Sequence, residues 1–368
     1  MVSAIMGRSF IGTFGIVLLC MAALWVADVF LANVERTETQ AQAVRLFAEG
    51  RALRQRGKNA QAIERIEDAL AIDRTNRSYQ LSLADAQFAA GENSAAQTTL
   101  TDLLDSDPTD GYACLLMARI AANEGQFDSA VSYFHRAIYG HWKDNGSESR
   151  QHARFELIDY LAGHNSREEL LAELLPVEEH EPRDLQSRLR LGQLFLLAGS
   201  PSHAADVFHG ILREEPATAE AHAGLGEADF ARADYRGAQR NFAEALRLEP
   251  NDQNTRRHLD VCNEFLQLDP TRRGLDQQER YRRSLKLLEL TSAEAAKCVS
   301  PHQPPEVQAL LDKASSAQKA HVRGAQLGES AEENLDLSEQ LWQLRKRECK
   351  TSAPTDTPLA LVLARLSQ

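Results

Sequence analysis

The chain has 368 residues, with 41 Lys+Arg against 53 Asp+Glu and a formal charge of −12 at pH 7. Residues 1–40 hold Arg8 and Arg36 against Asp28, Glu35 and Glu38, so nearly all the negative charge lies beyond them, which argues against a protein that tracks nucleic-acid phosphates. Five cysteines exclude a disulfide-dense mini-scaffold, and 6% aromatics with no proline before Pro108 describe helices rather than a β-sandwich.

In chain order, a short tail (1–8) precedes an uncharged run, Ser9 to Ala27. Nineteen helical residues cover about 28 Å, close to a bilayer's hydrocarbon thickness. The run fits an uncleaved transmembrane anchor over 9–33, with Trp25 near one interface, or a cleaved signal peptide. Cys20-Met21-Ala22 is the best processing site available and a poor one, and Leu19 is too large for a lipoprotein signal before Cys20, which favours the anchor. Arg8 on one side and Arg36 and Arg45 on the other leave orientation open by charge counting. The short tail favours a cytoplasmic N-terminus, with a linker (34–42) and everything after it outside the cytoplasm.

From residue 43 the sequence repeats every 34 residues. Blocks starting at Ala43, Arg77 and Gly111 align Gly57, Gly91 and Gly125 at position 15, Ala62, Ala96 and Ala130 at position 20, and Ile66, Leu100 and Phe134 at position 24. Position 27 holds Ala69, Leu103 and Ala137. Two more blocks, from Leu185 and Ala219, place Gly192 and Gly226 at position 8, Ala204 and Ala238 at 20, Phe208 and Phe242 at 24, and Pro216 and Pro250 at 32. A divergent, lengthened unit (145–184) fills the gap, with helices expected near 148–162 and 166–175, the second ended by Pro176. Small residues at 8 and 20 let two antiparallel helices approach, the large residue at 24 fills the space between units, and glycine at 15 permits the turn.

This pattern resembles the tetratricopeptide repeat (TPR) family over 43–252, although the family's Trp at position 4 is replaced throughout (Leu46, Gln80, Cys114, Arg188, His222). The resemblance implies an all-α solenoid of five clear repeats and one divergent repeat. A capping helix is expected over 253–267, then helices near 275–298, 306–322 and 331–347, a break at Ser300–Pro305, and an apolar stub, Leu359–Leu366, docked on the body. Residues 253–368 thus form a separate helical region.

No chemical motif stands up. Gly50 to Lys58 has six residues between its glycines and Asn59 where a phosphate loop needs Ser or Thr, and Gly224-Leu-Gly226 has no strand before it. The eleven histidines form no zinc motif, Ser200-Pro-Ser202 is no nucleophile elbow, and no Cys-x-x-Cys occurs. Asn76-Arg-Ser78 and Asn145-Gly-Ser147 match glycosylation acceptors at chance frequency. Arg272, Arg273, Arg280, Arg282, Arg283 and Lys286 form a basic cluster that reads either as a site for an acidic partner or lipid headgroups, or as a solvated face relieved by Asp276, Glu279 and Glu289. No catalytic residue, cofactor, metal, nucleic acid or small-molecule substrate is expected.

The family resemblance implies that first helices line a binding groove at positions 2, 5, 9 and 12. These give Phe47, Arg51, Arg54, Leu81, Asp85, Phe88, Tyr112, Leu115 and Arg119, then Gln186, Leu189, Gln193, Glu220, Glu227 and Phe230. The Lys/Asn pattern that clamps a peptide carboxylate in some members is absent. The expectation is a bacterial inner-membrane, single-pass protein with its solenoid in the periplasm. It takes a protein or peptide partner in the groove as a scaffold or adaptor of an envelope complex, or as a holdase chaperone. The alternatives are an enzyme with its site in 253–368 and a cytoplasm-facing regulator. Cys298 and Cys349, both at helix ends, form a disulfide candidate if the region faces an oxidising compartment; two free thiols is the competing reading.

Overall fold

The computed structural model describes residues 3–143, 145–178, 184–297, 305–349 and 357–367, with side chains described from Met21 onward apart from residues 22–24, 27, 178 and 305. Among the described residues the chain is helical throughout, with one isolated backbone bridge between Asp110 and His141. It divides into two compact units, Met1–Tyr160 and Leu161–Gln368.

In the first unit, α1 (Ser3–Gln55) pairs with α2 (Asn59–Ile72), α3 (Arg77–Ala90) with α4 (Asn93–Ser106), and α5 (Gly111–Asn123) with α6 (Phe127–Tyr139). The sequence registers explain the pairing. Ala62, Ala96 and Ala130 at position 20 are fully buried, and Ile66, Leu100 and Phe134 at position 24 fill the adjoining space. Gly57, Gly91 and Gly125 take φ of +73°, +81° and +72° at the turn inside each pair, a region that costs other residues about 1–2 kcal/mol. The residue just before a unit caps its first helix: Asn76 accepts from Ser78 and Tyr79 N–H, and Asp110 accepts from Ala113 N–H. Asp110 is fully buried and is also paired with Arg77.

Trp142 holds the position that is proline in the neighbouring units. Its indole lies on Gly111, where a Cβ would fall 2.4 Å from the ring nitrogen, and its N–H donates to the Ala137 carbonyl at 2.9 Å. His141 completes the closure by backbone bonds to Thr109 (2.7 Å) and Gly111 (2.9 Å).

The divergent unit is α7 (Gly146–Gly163), whose residues to Tyr160 belong to the first unit, and α8 (Arg167–Glu178). Pro176 does not end α8 but lies inside its last turn. There a missing N–H and a crowded carbonyl disturb one bond rather than a helix interior.

In the second unit, α9 (Leu185–Leu197) pairs with α10 (Pro201–Glu214), and α11 (Ala219–Ala231) with α12 (Tyr235–Leu248). Phe208 and Phe242 are completely buried against glycines: a Cβ on Gly192 would meet the Phe208 ring at 2.6 Å, one on Gly224 the same ring at 2.3 Å, and one on Gly226 the Phe242 ring at 2.6 Å. The two Gly motifs considered for phosphate binding are therefore accounted for by packing and turns.

α13 (Gln253–Leu268) is capped by Asp252 and followed by α14 (Gln277–Ala296), α15 (Pro305–Lys319), α16 (Gln326–Glu348) and α17 (Pro358–Leu366). α14 and α16 form the body of this region. The apolar stub docks as expected: Ala360, Val362 and Leu363 of α17 are buried with Phe265, Leu287, Leu335 and Trp342. Arg365 reaches the buried Asp269 carboxylate at 3.1 Å.

Residues 34–42 form no separate linker but continue α1 without interruption. Among the described residues, no helix is long and apolar enough to cross a membrane; most side chains of the expected span lie outside them. Cys349 is disulfide-bonded, whereas its expected partner Cys298 lies outside the described residues. Cys114 and Cys262 are free and buried, and burial pushes the Cys262 thiol up to about 12, which fits packing residues rather than nucleophiles.

Candidate groove on the first-helix faces

In the first unit the groove positions come from α1, α3, α5 and the start of α7. Phe47 packs on Tyr79 with ring centroids 4.4 Å apart, and the Arg51 guanidinium sits over the Phe47 ring at 5.9 Å. Arg54 Nε lies 3.0 Å from Asp85 Oδ2. Arg119 grips Glu156 in a bidentate pair, Nε to Oε2 at 2.9 Å and Nη2 to Oε1 at 2.5 Å. That bond raises the Arg119 pKa. His152 Nε2 stands 3.1 Å from the same carboxylate. Tyr112 is half-buried in this row, and burial, with the Asp85 charge near it, pushes its phenol up.

Two predicted groove residues here are core instead. Leu81 and Leu115, at position 5, are buried between helices. The same holds for Leu189 in the second unit. Position 5 faces the neighbouring first helix, so a large apolar residue there is consumed by packing. Arg54, Asp85 and Arg119 lie on the face but are already engaged, Arg54 with Asp85 and Arg119 with Glu156 of α7. The side chains left to engage a partner in this unit are Arg51, which is exposed, and the half-buried Phe47, Phe88 and Tyr112.

The second unit presents a different chemistry. Gln186, Gln193 and Glu220 are exposed, while Glu227 and Phe230 are half-buried. Gln193, Glu220, Glu227, Glu249, Asp252 and Asn254 border a recess of about 200 Å³. Burial pushes the Glu227 carboxyl up, Asp252 adds to the shift, and His258 opposes it. Phe230 is held by Tyr235 at 5.3 Å and by a stacked His258 at 6.0 Å. Among the described residues, no group of three or more His, Cys, Asp or Glu side chains could hold a metal ion.

The residues missed from sequence are Glu156 and His152 in the first unit and Glu249 and Asp252 in the second. A signal existed for Glu156: counted from residue 145, it occupies position 12 of the divergent unit. Glu249 and Asp252 follow the second helix of their repeat, outside the first-helix positions considered.

The basic cluster resolves mostly into internal pairs. Arg280 meets Glu332 at 2.6 Å, Arg282 and Arg283 meet Glu279 at 2.6 and 2.7 Å, and Lys286 meets Glu289 at 2.9 Å. Arg283 also donates to the carbonyl of Leu266 at 2.7 Å. Arg272 and Arg273 are exposed and take no part in these pairs.

Comparison with known proteins places a tetratricopeptide repeat match at residues 53–120. Cellulose synthase operon protein C of Escherichia coli strain K12 is 22% identical over 227 residues, 62% of this chain and 20% of that protein, so the chain spans about a fifth of that relative's length. Among solved structures, YrrB, a TPR protein with an unusual peptide-binding site, is 14% identical at a TM-score of 0.43, covering 53% of this chain and 98% of that one. PilW, a type IV pilus biogenesis factor, is 18% identical at 0.38, covering 59% and 98%. Both scores are low, and the fold assignment rests on the chain's own repeats. The 34-residue helix pairs, the small-residue registers that close them and the match within the array show that the chain carries tetratricopeptide repeats.

Proposed function

We propose that the chain is a scaffold or adaptor, anchored in a bacterial inner membrane, that binds a segment of another protein on the first-helix faces of its repeats during assembly or maintenance of an envelope complex. The observation that carries the binding half is the row Phe47, Arg51, Phe88 and Tyr112. These side chains stay at least partly open on successive first helices, while Leu81 and Leu115 on α3 and α5 are buried. Three aromatic anchors and one cation with no ion pair among the described residues suit an extended or helical segment that offers apolar side chains and a carboxylate.

The membrane half rests on sequence alone, on the uncharged run 9–27 and the short tail before it. The relation to the cellulose synthase operon protein, at 22% identity over a fifth of that protein, points to no one pathway.

The test is recovery of cross-linked partners from native membranes with the full chain. The double variant Arg51→Glu, Phe88→Ala is expected to lose most of the partner, and undiminished recovery contradicts the groove assignment. A phosphatase reporter fused after Gln368 is expected to be active outside the cytoplasm, and an inactive, stably expressed fusion contradicts the orientation.

A further inference from the structure

Four arginines of the second unit have neither ion pair nor hydrogen bond among the described residues, in a chain that is acidic overall. Arg236 and Arg240 lie on α12, one helical turn (about 6 Å) apart. Arg272 and Arg273 lie in the turn between α13 and α14. All four are exposed, and they border two adjoining recesses of about 300 and 450 Å³ that share Arg236, Leu266 and Arg272. The carboxylates of the recess are already engaged: Asp234 accepts from Gly237 N–H at 3.0 Å, and Asp269 is held by Arg365 and Thr271. The basic residues that follow on α14 are matched with glutamates, whereas these four lack such partners and border the same two recesses.

Unpaired guanidinium groups this close repel one another, and an anion that bridges them removes the repulsion. Each presents a planar fork that fits a carboxylate with two parallel hydrogen bonds. The half-buried Leu266 between the two recesses adds an apolar floor.

We propose that this recess docks an acidic segment of a partner protein, with Asp or Glu carboxylates on the arginines and an apolar side chain over Leu266. The site is separate from the groove, because α12 is the second helix of its pair. Concavities of side-chain size favour a peptide over a lipid surface, which a flat or convex basic face meets better. The aromatic residues here, Tyr235 and Phe265, are buried and not free to stack nucleic-acid bases.

The experiment uses the full chain and a fluorescein-labelled peptide of four Glu-Glu-Leu repeats, read by anisotropy at low and physiological salt. The wild type is expected to bind the peptide. Arg236→Glu, Arg240→Glu, Arg272→Glu and Arg273→Glu combined should weaken binding by about tenfold or more. The milder Arg236→Gln, Arg240→Gln pair should give a smaller loss with an unchanged thermal melt. Arg282→Glu with Lys286→Glu, on the matched stripe, should leave binding unchanged. No binding by the wild type, or equal binding by the arginine variants, overturns the proposal. So does binding of phosphatidylglycerol vesicles or an oligothymidine strand through these arginines without binding of the peptide. Binding lost in Arg51→Glu but kept in the four-arginine variant would place the peptide in the groove and overturn the proposal, so the two surfaces fail or succeed separately.

Discussion

Ala233 holds φ at +61° in the α11–α12 turn, where the other clear repeats place glycines with φ between +72° and +81°. Its Cβ crowds the following carbonyl in that region, so Ala233→Gly should stabilise the chain by about 1 kcal/mol, read as a raised melting temperature. An unchanged or lowered value contradicts the strain. Glu227 makes a second residue-scale test. Burial raises its pKa, so the folded state holds this proton more tightly than the unfolded chain and disfavours the ionised carboxylate. The penalty is present above the folded pKa and vanishes as pH falls below the unfolded value near 4.5. Glu227→Gln should therefore raise the melting temperature at neutral pH and leave it nearly unchanged below pH 4. A stabilisation equal at both pH values would assign the effect to packing. A carboxylate kept at a stability cost on an open face is what a binding residue requires.

At the scale of elements, the clear repeats share one register: a large residue at position 24 and a small residue at position 8, in contact at Gly50 and Ile66, Gly192 and Phe208, and Gly226 and Phe242. Gly192→Ala places a Cβ 2.6 Å from the Phe208 ring, which is wedged between Gly192 and Gly224, and should cost about 1–3 kcal/mol. Phe208→Ala should cost about 3–5 kcal/mol by leaving a cavity, and the pair combined should lose less than the sum because the added methyl partly fills it. Additive losses in denaturant unfolding would show that the two sites do not share this space. This level of the fold was legible because the contact repeats every 34 residues and recurs in each register. Trp142 was not legible: it closes its unit by an indole on Gly111, and nothing in the spacing marks a tryptophan as a replacement for proline. The groove was half legible. Period alone marks which residues share a helix face, but Leu81, Leu115 and Leu189 show that it does not separate the part of that face buried by the next helix from the part left open. Pairing across repeats, as between Arg119 and Glu156, depends on a register that the divergent repeat obscures.

For the whole molecule, the acidic balance of −12 is unevenly spent. The second unit gathers carboxylates around the α11 face and leaves four arginines unmatched near α12 and the α13–α14 turn, while the first unit ties most of its groove charges into pairs. A chain arranged this way offers several surfaces of different chemistry, which suits the proposed role of holding other proteins together. The central claim is that the first-helix face is where another protein sits. The most direct measurement is photo-cross-linking in native membranes from a benzophenone side chain placed at Phe88 on α3, compared with one at the exposed Glu67 on α2. The account predicts a discrete cross-linked partner from position 88 that is lost when Arg51 is changed to Glu, and none from position 67. Equal capture from both positions, or capture from 67 alone, would contradict it.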